Sequence, residues 1–339
     1  MKALVTGATG FLGGALARRL HSMGWDVTAL GRNVSKLDQL ESEGIRVAQV
    51  DLKDKKAMAI ACEDQEIVFH CAALPAPWGN FELFYQANVI GTRNVVRGCE
   101  EHNVKRLVYV STPSIYFRYS SRTNVKETDD LPEPISNYAA TKLLAEEEVD
   151  KAFANGLACV TIRPRAIFGP GDTVIFPRLI PRLRSGRLPI IGDGQNIIDL
   201  TYIENVVDAL LLCAESPVNT LGKKYNITNG ESVLLWELVE HICRELELPL
   251  PQRKVSYRSA DMAARVLELI YTFLPTHPEP PLTRVALSMM ATSTTLDISA
   301  AKQELGYQPK VSIDEGFDKF MHWWKEASPS LRGDALSPK

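Results

Sequence analysis

The chain has 339 residues, 45% of them hydrophobic and 23% charged, and its formal net charge is −3 at pH 7. These values are typical of a globular protein with a substantial core, and they exclude a disordered chain. The small negative charge gives no reason to expect nucleic-acid binding.

The cysteines and the first residues indicate a reduced, cytoplasmic protein. None of the six cysteines has C-x-x-C or Cys/His ligand spacing, so we expect buried thiols and no metal site. In the opening "MKALVTGATG", glycines come before any apolar h-region can develop, which is unlike a signal peptide. No apolar run approaches the ~18 residues that a membrane-spanning helix needs.

Over the first 165 residues, short β-branched runs alternate with helical stretches. The runs are "KALVT", "DVTAL", "RVAQV", "EIVFHCAA", "RLVYVS" and "ACVTIRP", and one helical tract covers about 81–102. This order predicts parallel strands joined by right-handed crossovers. The strands are continuously apolar, which indicates burial on both faces. The predicted fold class is therefore α/β, with a doubly wound parallel (Rossmann) sheet.

The first predicted strand runs into "TGATGFLG", with glycines at Gly7, Gly10 and Gly13. Glycine permits a tight turn and lets the backbone approach a pyrophosphate at the N-terminus of the next helix. Because this spacing stands between a predicted strand and a predicted helix, it indicates a dinucleotide site.

The end of the second strand, ~20 residues further on, indicates which dinucleotide is bound. A carboxylate there binds the ribose hydroxyl of NAD, whereas an arginine accommodates the extra phosphate of NADP. The chain has Arg32 in "ALGRN" and no carboxylate. We therefore expect NADP(H); the alternative is that Arg32 is only a solvated loop charge and the enzyme accepts either NADP(H) or NAD(H). Asp51 and Leu52, after the third strand, are placed to contact the adenine.

Tyr138 and Lys142 lie four residues apart in "SNYAATK". On a helix this spacing puts both side chains on one face. A nearby ammonium stabilises a phenolate and lowers the pKa of the tyrosine towards neutrality. The alternative is a packed tyrosine with a solvated lysine. The position of the pair after the glycine turn and the fifth strand favours acid/base chemistry.

These motifs resemble the extended short-chain dehydrogenase/reductases. The resemblance extends from residues 6–13 through "HCAA", "NVIGT", "VYVST" and Y-x-x-x-K to "RPRAIFGPGD" and "DLTYIENVVDA". It implies hydride transfer at a nicotinamide, with Tyr138 as acid or base and Lys142 also binding the nicotinamide ribose. By motif position, the hydroxyl that polarises the reacting oxygen is Thr112, and Ser111 and Ser114 are the alternatives.

The resemblance also implies a homodimer formed through the helices that carry Asn88 and Tyr138. The catalytic set is Thr112, Tyr138 and Lys142. The motifs and the resemblance together indicate a cofactor-binding set of Gly7, Thr9, Gly10, Phe11, Leu12, Gly13, Arg32, Asp51, Leu52, Ala72, Ala73, Asn88, Tyr138, Lys142 and Pro164.

One position bears on the substrate. In members that act on nucleotide sugars, an arginine just before the aspartate of R-D-x-x-Y-V-x-D grips the diphosphate. Here Ile198 precedes Asp199. Isoleucine cannot pair with a diphosphate, which argues against a nucleotide-sugar epimerase or dehydratase.

Stretches such as "YVSTPSIYF" and "NYAATKLLAEE" resemble the 3β-hydroxysteroid dehydrogenase branch, which includes sterol-4α-carboxylate 3-dehydrogenases and bacterial 2-alkyl-3-oxoalkanoate reductases. The branch implies NAD(P)(H)-dependent interconversion of a secondary alcohol and a ketone on an apolar substrate. That substrate is a 3-oxo/3-hydroxy acid or a sterol-like molecule, and Arg165, Arg178 and Arg182 are candidates to meet its carboxylate. A catalytically inactive NADP-binding regulator is the alternative from another class, and the intact catalytic set argues against it.

Segment 258–296 is apolar and rich in methionine. Three interpretations are open: a lid over a hydrophobic pocket, core or dimer packing, and weak contact with a membrane surface. Before it, "NGESVLLWELVEHICREL" has helical periodicity that includes Leu234 and Leu235. The expected domain boundaries are 1–176 and 194–228 for dinucleotide binding, 177–193 and 229–325 for a smaller, discontinuous substrate domain, and 326–339 for a flexible tail.

Overall fold

The computed structural model describes residues 1–186, 188–275 and 278–326. All but the first residue of the tail predicted over 326–339 lies outside the described residues. The strands are β1 (Lys2–Thr6), β2 (Asp26–Gly31), β3 (Arg46–Gln49), β4 (Ile67–His70), β5 (Arg106–Val110), β6 (Arg122–Val125), β7 (Cys159–Pro164), β8 (Ile167–Phe168), β9 (Ile190–Ile191), β10 (Ile197–Asp199), β11 (Thr201–Tyr202), β12 (Lys224–Ile227), β13 (Ser232–Leu234), β14 (Lys254–Val255) and β15 (Thr294–Leu296).

Helices connect most of these strands, and a π-helical turn (Tyr85–Ile90) and two 3₁₀ turns (Pro113–Tyr116 and Val218–Thr220) complete the regular structure. The α-helices are α1 (Phe11–Ser22), α2 (Val34–Ser42), α3 (Lys55–Cys62), α4 (Phe81–Phe84), α5 (Gly91–Glu101), α6 (Asn137–Ala154), α7 (Phe176–Arg184), α8 (Ile203–Glu215), α9 (Leu235–Glu245), α10 (Tyr257–Thr272), α11 (Arg284–Ala291), α12 (Ser299–Glu304) and α13 (Ile313–Glu326).

The main sheet has seven strands in the order β12-β7-β5-β4-β1-β2-β3. Every pairing in it is parallel, as the alternation of strands and helices predicts. The order reverses between β1 and β4, where the chain leaves one half of the sheet for the other. In a doubly wound sheet, the crevice at the carboxyl ends of the strands on either side of this reversal is the usual ligand site.

A smaller, mixed sheet has the order β13-β10-β15-β6. Its strands come from four distant stretches of the chain, and β6 pairs with β15 in parallel. Strand β13 corrects the helical interpretation of "SVL", since Leu234 pairs with Ile197 in an antiparallel ladder and the helix begins at Leu235. Tertiary pairing with β10 therefore overrides the local helical periodicity here.

A buried ion pair attaches helix α6 to the main sheet. Arg163, in β7, donates from Nε to Glu146 Oε1 at 2.8 Å and from Nη2 to Oε2 at 2.5 Å. Arg163 Nη1 also donates to Tyr116 Oη, and Tyr116 Oη donates to Asn226 Oδ1 at 3.0 Å. Both charged side chains are almost fully inaccessible to solvent. The pair therefore fixes the position of the helix on which Tyr138 and Lys142 stand.

Replacing Glu146 should test this attachment. Glu146→Gln leaves the Arg163 guanidinium buried without a countercharge, so the free energy of unfolding should fall by about 3–5 kcal/mol. Glu148→Gln is the matched control two residues further along α6, because Glu148 pairs with the half-exposed Arg93. It should cost about 1 kcal/mol or less. Urea unfolding measures both, and equal losses would show that the buried pair does not anchor the helix.

Candidate active site

The glycine turn packs directly against the chain after β4. Gly7 has φ +71°, and a Cβ added there would lie 2.7 Å from the Ala72 Cα atom. A Cβ on Gly13 would lie 2.3 Å from the Gly7 carbonyl oxygen. Side chains at these two positions would push the turn away from the sheet. The glycines thus allow the turn to lie at the crevice where the strand order reverses.

The N-terminus of α1 follows this turn. Gly10 precedes the helix, and no side chain caps the N–H groups of its first turn. These groups, which include those of Leu12 and Gly13, carry the positive end of the helix dipole. Phe11 begins the helix, and Thr9 packs so closely on Gly31 that a Cβ there would lie 2.4 Å from its methyl group. An open, side-chain-free cradle of N–H donors fits the pyrophosphate of a dinucleotide.

The structure brings Arg32 and Asp51 together at the carboxyl ends of β2 and β3. The Arg32 side chain is 71% exposed, and its Nη1 lies 3.9 Å from Asp51 Oδ2. Asp51 also lies 3.5 Å from the Lys53 ammonium. Leu52 packs next to Gly91 of α5. The predicted adenosine end of the site is therefore exposed and carries two cations around one carboxylate.

The loop after β4 is attached to α6 by Asn88. Its Oδ1 accepts from Leu74 N at 2.7 Å, and its Nδ2 donates to Thr141 Oγ1 at 3.1 Å. The Ala72 N–H donates a weak hydrogen bond to Thr6 Oγ1, with 3.4 Å between the nitrogen and the oxygen. The loop that includes Ala72 and Ala73 is thereby fixed between the glycine turn and the residue before Lys142.

Sequence reasoning missed a buried histidine under this loop. His70 Nδ1 is 2.7 Å from Thr6 Oγ1, and His70 Nε2 is 2.9 Å from Thr92 Oγ1. Burial, with a smaller contribution from the charge of Lys142, lowers the pKa of His70 to about 3. The imidazole is therefore neutral, and it joins β1, β4 and α5 through two threonines. A polar residue in the apolar run "IVFHCAA" was the available signal.

Thr112, two residues after β5, is the hydroxyl that influences the titration of Tyr138. Ser136 caps α6, its Oγ accepting from Ala139 N at 3.1 Å, so that Tyr138 stands in the first turn of the helix. Burial raises the pKa of Tyr138 above its usual range, and the nearby Thr112 hydroxyl opposes this rise. Thr112 also donates to Ser114 Oγ at 3.0 Å, whereas Ser111 Oγ is buried without a hydrogen-bond partner among the described residues.

Lys142 points into the sheet. Its Nζ donates to Tyr109 Oη at 2.6 Å and to the Val110 carbonyl oxygen at 2.8 Å. Burial lowers the pKa of Lys142 to about 7, although the Glu146 carboxylate acts in the opposite direction. This arrangement corrects the expectation that the ammonium lowers the pKa of Tyr138. Lys142 is held by β5, and burial dominates the titration of the phenol. Tyr109 was not predicted, since an aromatic residue in a buried strand gives no signal of its own.

The residues that the sequence analysis connected with the substrate lie in different environments. Ile198 is 8% exposed and packs in the main hydrophobic core. Arg178 and Arg182 are exposed on α7, and Arg178 Nη1 lies 3.7 Å from Glu279 Oε1. Arg165 is buried just after β7, and Pro164 is the last residue of that strand.

Segment 258–296 forms α10, α11 and β15. Helix α10 packs on α11, and both border a cavity of about 400 Å³. The cavity is lined by aromatic and polar residues that include Trp78, Phe81, Tyr119, Asn137 and Glu268. It therefore opens next to the residue that precedes Tyr138. The opposite face of α10 exposes Met262, Val266, Leu269, Ile270 and Phe273.

Within residues 1–186, 188–275 and 278–326, no helix has both the length and the apolar character needed to cross a membrane. The same residues contain no cluster of three or more His, Cys, Asp or Glu side chains suited to a metal ion.

The nicotinamide-dependent oxidoreductases typically bind a dinucleotide where the strand order of a parallel sheet reverses, next to a phenol, a hydroxyl and an ammonium. The site described above has this arrangement. Residues 3–228 match the NAD dependent epimerase/dehydratase family, and the chain belongs to that family. The resemblance to the extended short-chain dehydrogenase/reductases is thereby confirmed.

Curated relatives match almost the whole chain. A 2-alkyl-3-oxoalkanoate reductase of Stenotrophomonas maltophilia is 39% identical over 322 residues, which cover 93% of this chain and 97% of the relative. The human sterol-4-alpha-carboxylate 3-dehydrogenase, decarboxylating, is 33% identical over 336 residues, covering 93% of this chain and 86% of the relative. Among solved structures, MoeE5 in complex with UDP-glucose and NAD superposes with a TM-score of 0.76 at 27% identity, over 96% of this chain and 99% of MoeE5.

The buried ammonium should make stability depend on pH. In the unfolded chain Lys142 keeps its proton up to about pH 10.5, whereas in the folded protein it loses it near pH 7. Between these values unfolding takes up a proton, so raising the pH stabilises the folded state. Between pH 7 and pH 9 the free energy of unfolding of the wild type should rise by about 2 kcal/mol more than that of Lys142→Met. Urea unfolding at both pH values measures this, and parallel pH dependences would show that Lys142 titrates normally.

Proposed function

We propose that the protein catalyses reversible, NADP(H)-preferring oxidoreduction between a secondary alcohol and a ketone on an apolar substrate, in the first place a 3-oxo acid or its 3-hydroxy form. The placement of α6 at the carboxyl end of β5 carries this proposal: Lys142 Nζ donates to Tyr109 Oη and to the Val110 carbonyl oxygen, and Thr112 follows the same strand two residues after Val110. The names of the two curated relatives support the substrate class, since one is a 3-oxoalkanoate reductase and the other a 3-dehydrogenase of a sterol carboxylate.

Tyr138 is the acid that completes reduction. Because burial raises the pKa of Tyr138, the phenol is protonated at neutral pH and can give its proton to the oxygen of the ketone. The Thr112 hydroxyl orients the same oxygen and polarises the carbonyl. A bound nicotinamide supplies the hydride in this direction and accepts it in the other. Lys142, one turn along α6, is held by Tyr109 and the Val110 carbonyl oxygen, and we assign it to binding of the nicotinamide ribose.

Ile198 and the cavity argue for an apolar substrate. Ile198 packs in the core, so it offers no charge to a diphosphate where members acting on nucleotide sugars carry an arginine. The cavity of about 400 Å³ lies within the usual size range of small-molecule pockets and includes Trp78, Phe81 and Val285 in its lining. Helix α10 borders it through Glu268 and Thr272, which supports a lid function for segment 258–296.

Arg32 supports the cofactor preference. It directly follows β2, where the sequence "ALGRN" supplies no carboxylate to bind a ribose 2′-hydroxyl. Its exposed guanidinium is held only loosely by Asp51, so it can turn to a 2′-phosphate.

Removing the phenolic hydroxyl should abolish the reaction. Tyr138→Phe should lower kcat by about 10²–10⁴-fold, because the general acid is lost. Binding of NADPH, followed by fluorescence, should stay nearly unchanged. Tyr119→Phe is the control, since it removes a phenolic hydroxyl from the cavity that opens next to Asn137. That variant should retain wild-type turnover of 3-oxo acids. An active Tyr138→Phe enzyme would remove Tyr138 as the acid.

Reversing the charge of Arg32 should change the choice of cofactor. Arg32→Asp should reduce the ratio of kcat/KM for NADPH to that for NADH at least tenfold, because a charge-assisted phosphate contact is worth about 1.5–3 kcal/mol. Arg46→Asp changes the net charge equally at the amino end of β3, where Arg46 pairs with Asp26. It should leave the ratio unchanged. A constant ratio in both variants would contradict the phosphate assignment.

A further inference from the structure

Arg165 lies at the same edge of the sheet as the catalytic hydroxyls. It directly follows β7, and Thr112 comes two residues after the neighbouring strand β5. The backbone at Arg165 is held on both sides, since its N–H donates to the Ile227 carbonyl at 3.0 Å and its carbonyl accepts from Thr201 Oγ1. The backbone from which the Arg165 side chain extends is therefore held in place.

The guanidinium of Arg165 lacks the partners that a buried cation needs. The residue is 5% exposed, and none of its side-chain nitrogens donates a hydrogen bond within the described residues. The Nε atom is inaccessible to solvent, whereas Nη1 and Nη2 are not completely buried. The guanidinium carbon lies over the ring of Phe117, 4.4 Å from its centroid, and this cation–π contact leaves the N–H donors without acceptors.

Asp199 does not neutralise this cation at close range. Its Oδ1 accepts from Ser232 Oγ and its Oδ2 from Leu296 N, both at 2.7 Å. No ion pair joins it to Arg165 among the described residues, although its charge acts on the guanidinium from further away. Both carboxylate oxygens of Asp199 are thus already used.

Arg163, two residues earlier and within β7, gives an internal comparison. It is equally buried, but its guanidinium forms a bidentate pair with Glu146 and a hydrogen bond to Tyr116. Arginine stays protonated in proteins, so Arg165 cannot remove its charge to avoid the cost of burial. An unpaired, rigidly placed guanidinium is suited to a planar anion from outside the chain.

We propose that Arg165 binds the carboxylate of the substrate and so directs the oxo group of a 3-oxo acid towards Tyr138 and Thr112. The inference rests on the proposed function and names the residue that recognises the acid. Arg178, which pairs with Glu279 on the surface, is not needed for this contact. Because Ile198 packs in the core, the cation in this region comes from the residue after β7 and not from β10.

The test compares a medium-chain 3-oxo acid with its methyl ester, which keeps the ketone and loses the negative charge. The wild type should have a KM at least tenfold lower for the acid. Arg165→Met should raise the KM for the acid about 10–100-fold and leave that for the ester unchanged, as expected for loss of a charge-assisted contact. Arg165→Lys should restore part of the difference. Arg178→Met is the control and should behave as the wild type.

A stability measurement separates substrate binding from a structural role. Arg165→Met removes an unpaired buried charge, so its Tm should be equal to or above that of the wild type. Arg163→Met, which leaves Glu146 unpaired, should lower Tm. A fall in Tm for Arg165→Met as large as that for Arg163→Met would assign Arg165 a structural role and overturn the proposal.

The outcomes distinguish this inference from the function on which it rests. If the wild type reduces acid and ester with equal KM, the function stands and the role of Arg165 is wrong. If it reduces neither, the proposed function is wrong. Calorimetric binding of decanoate to the wild type and to Arg165→Met then decides the anion site. Equal affinities would overturn the site, and weaker binding by the variant would support it.

Discussion

The ion pair between Glu146 and Arg163 joins helix α6 to strand β7, and the geometry of the site depends on it. Tyr138 and Lys142 lie on the N-terminal half of this helix, whereas Thr112 follows β5 in the sheet. The two groups meet only if the helix keeps its position over the strands. A second contact, from Lys142 to Tyr109 and Val110, attaches the same helix to β5. Buried polar contacts thus place a reactive side chain that apolar packing alone would position less specifically.

Arg163 in β7 and Arg165 directly after it are two buried cations with different roles, one in folding and one in binding. Arg163 is satisfied within the chain, and Arg165 is not. The first is expected to contribute to folding, because removing either partner leaves a charge uncompensated. The second costs free energy in the free protein and, on our account, recovers it when an anion binds. Destabilised groups of this kind are typical of functional sites.

Much of the main sheet and the arrangement of the site could be predicted, because their signals are local. The glycine spacing needs only one strand and one helix, and Tyr138 and Lys142 need one helical face. The small sheet could not be predicted, since β6 pairs with β15 about 170 residues away and β13 looks helical by itself. The pKa of Tyr138 was expected to be lowered by Lys142, but burial of the phenol raises it, and the Lys142 ammonium is held by Tyr109 instead. The Glu146–Arg163 pair had a signal that went unused: a charged residue within an apolar strand needs a partner.

The central claim is net transfer of hydride to a ketone, and isotope transfer tests it most directly. The wild type is given a 3-oxo acid and NADPH deuterated at the transferred position of the nicotinamide, and the product is analysed by mass spectrometry. We predict one deuterium on the carbon that bears the new hydroxyl and one oxidised cofactor per product molecule. Epimerisation of a nucleotide sugar with no net oxidation of the cofactor, or no transfer to any ketone, would contradict the account.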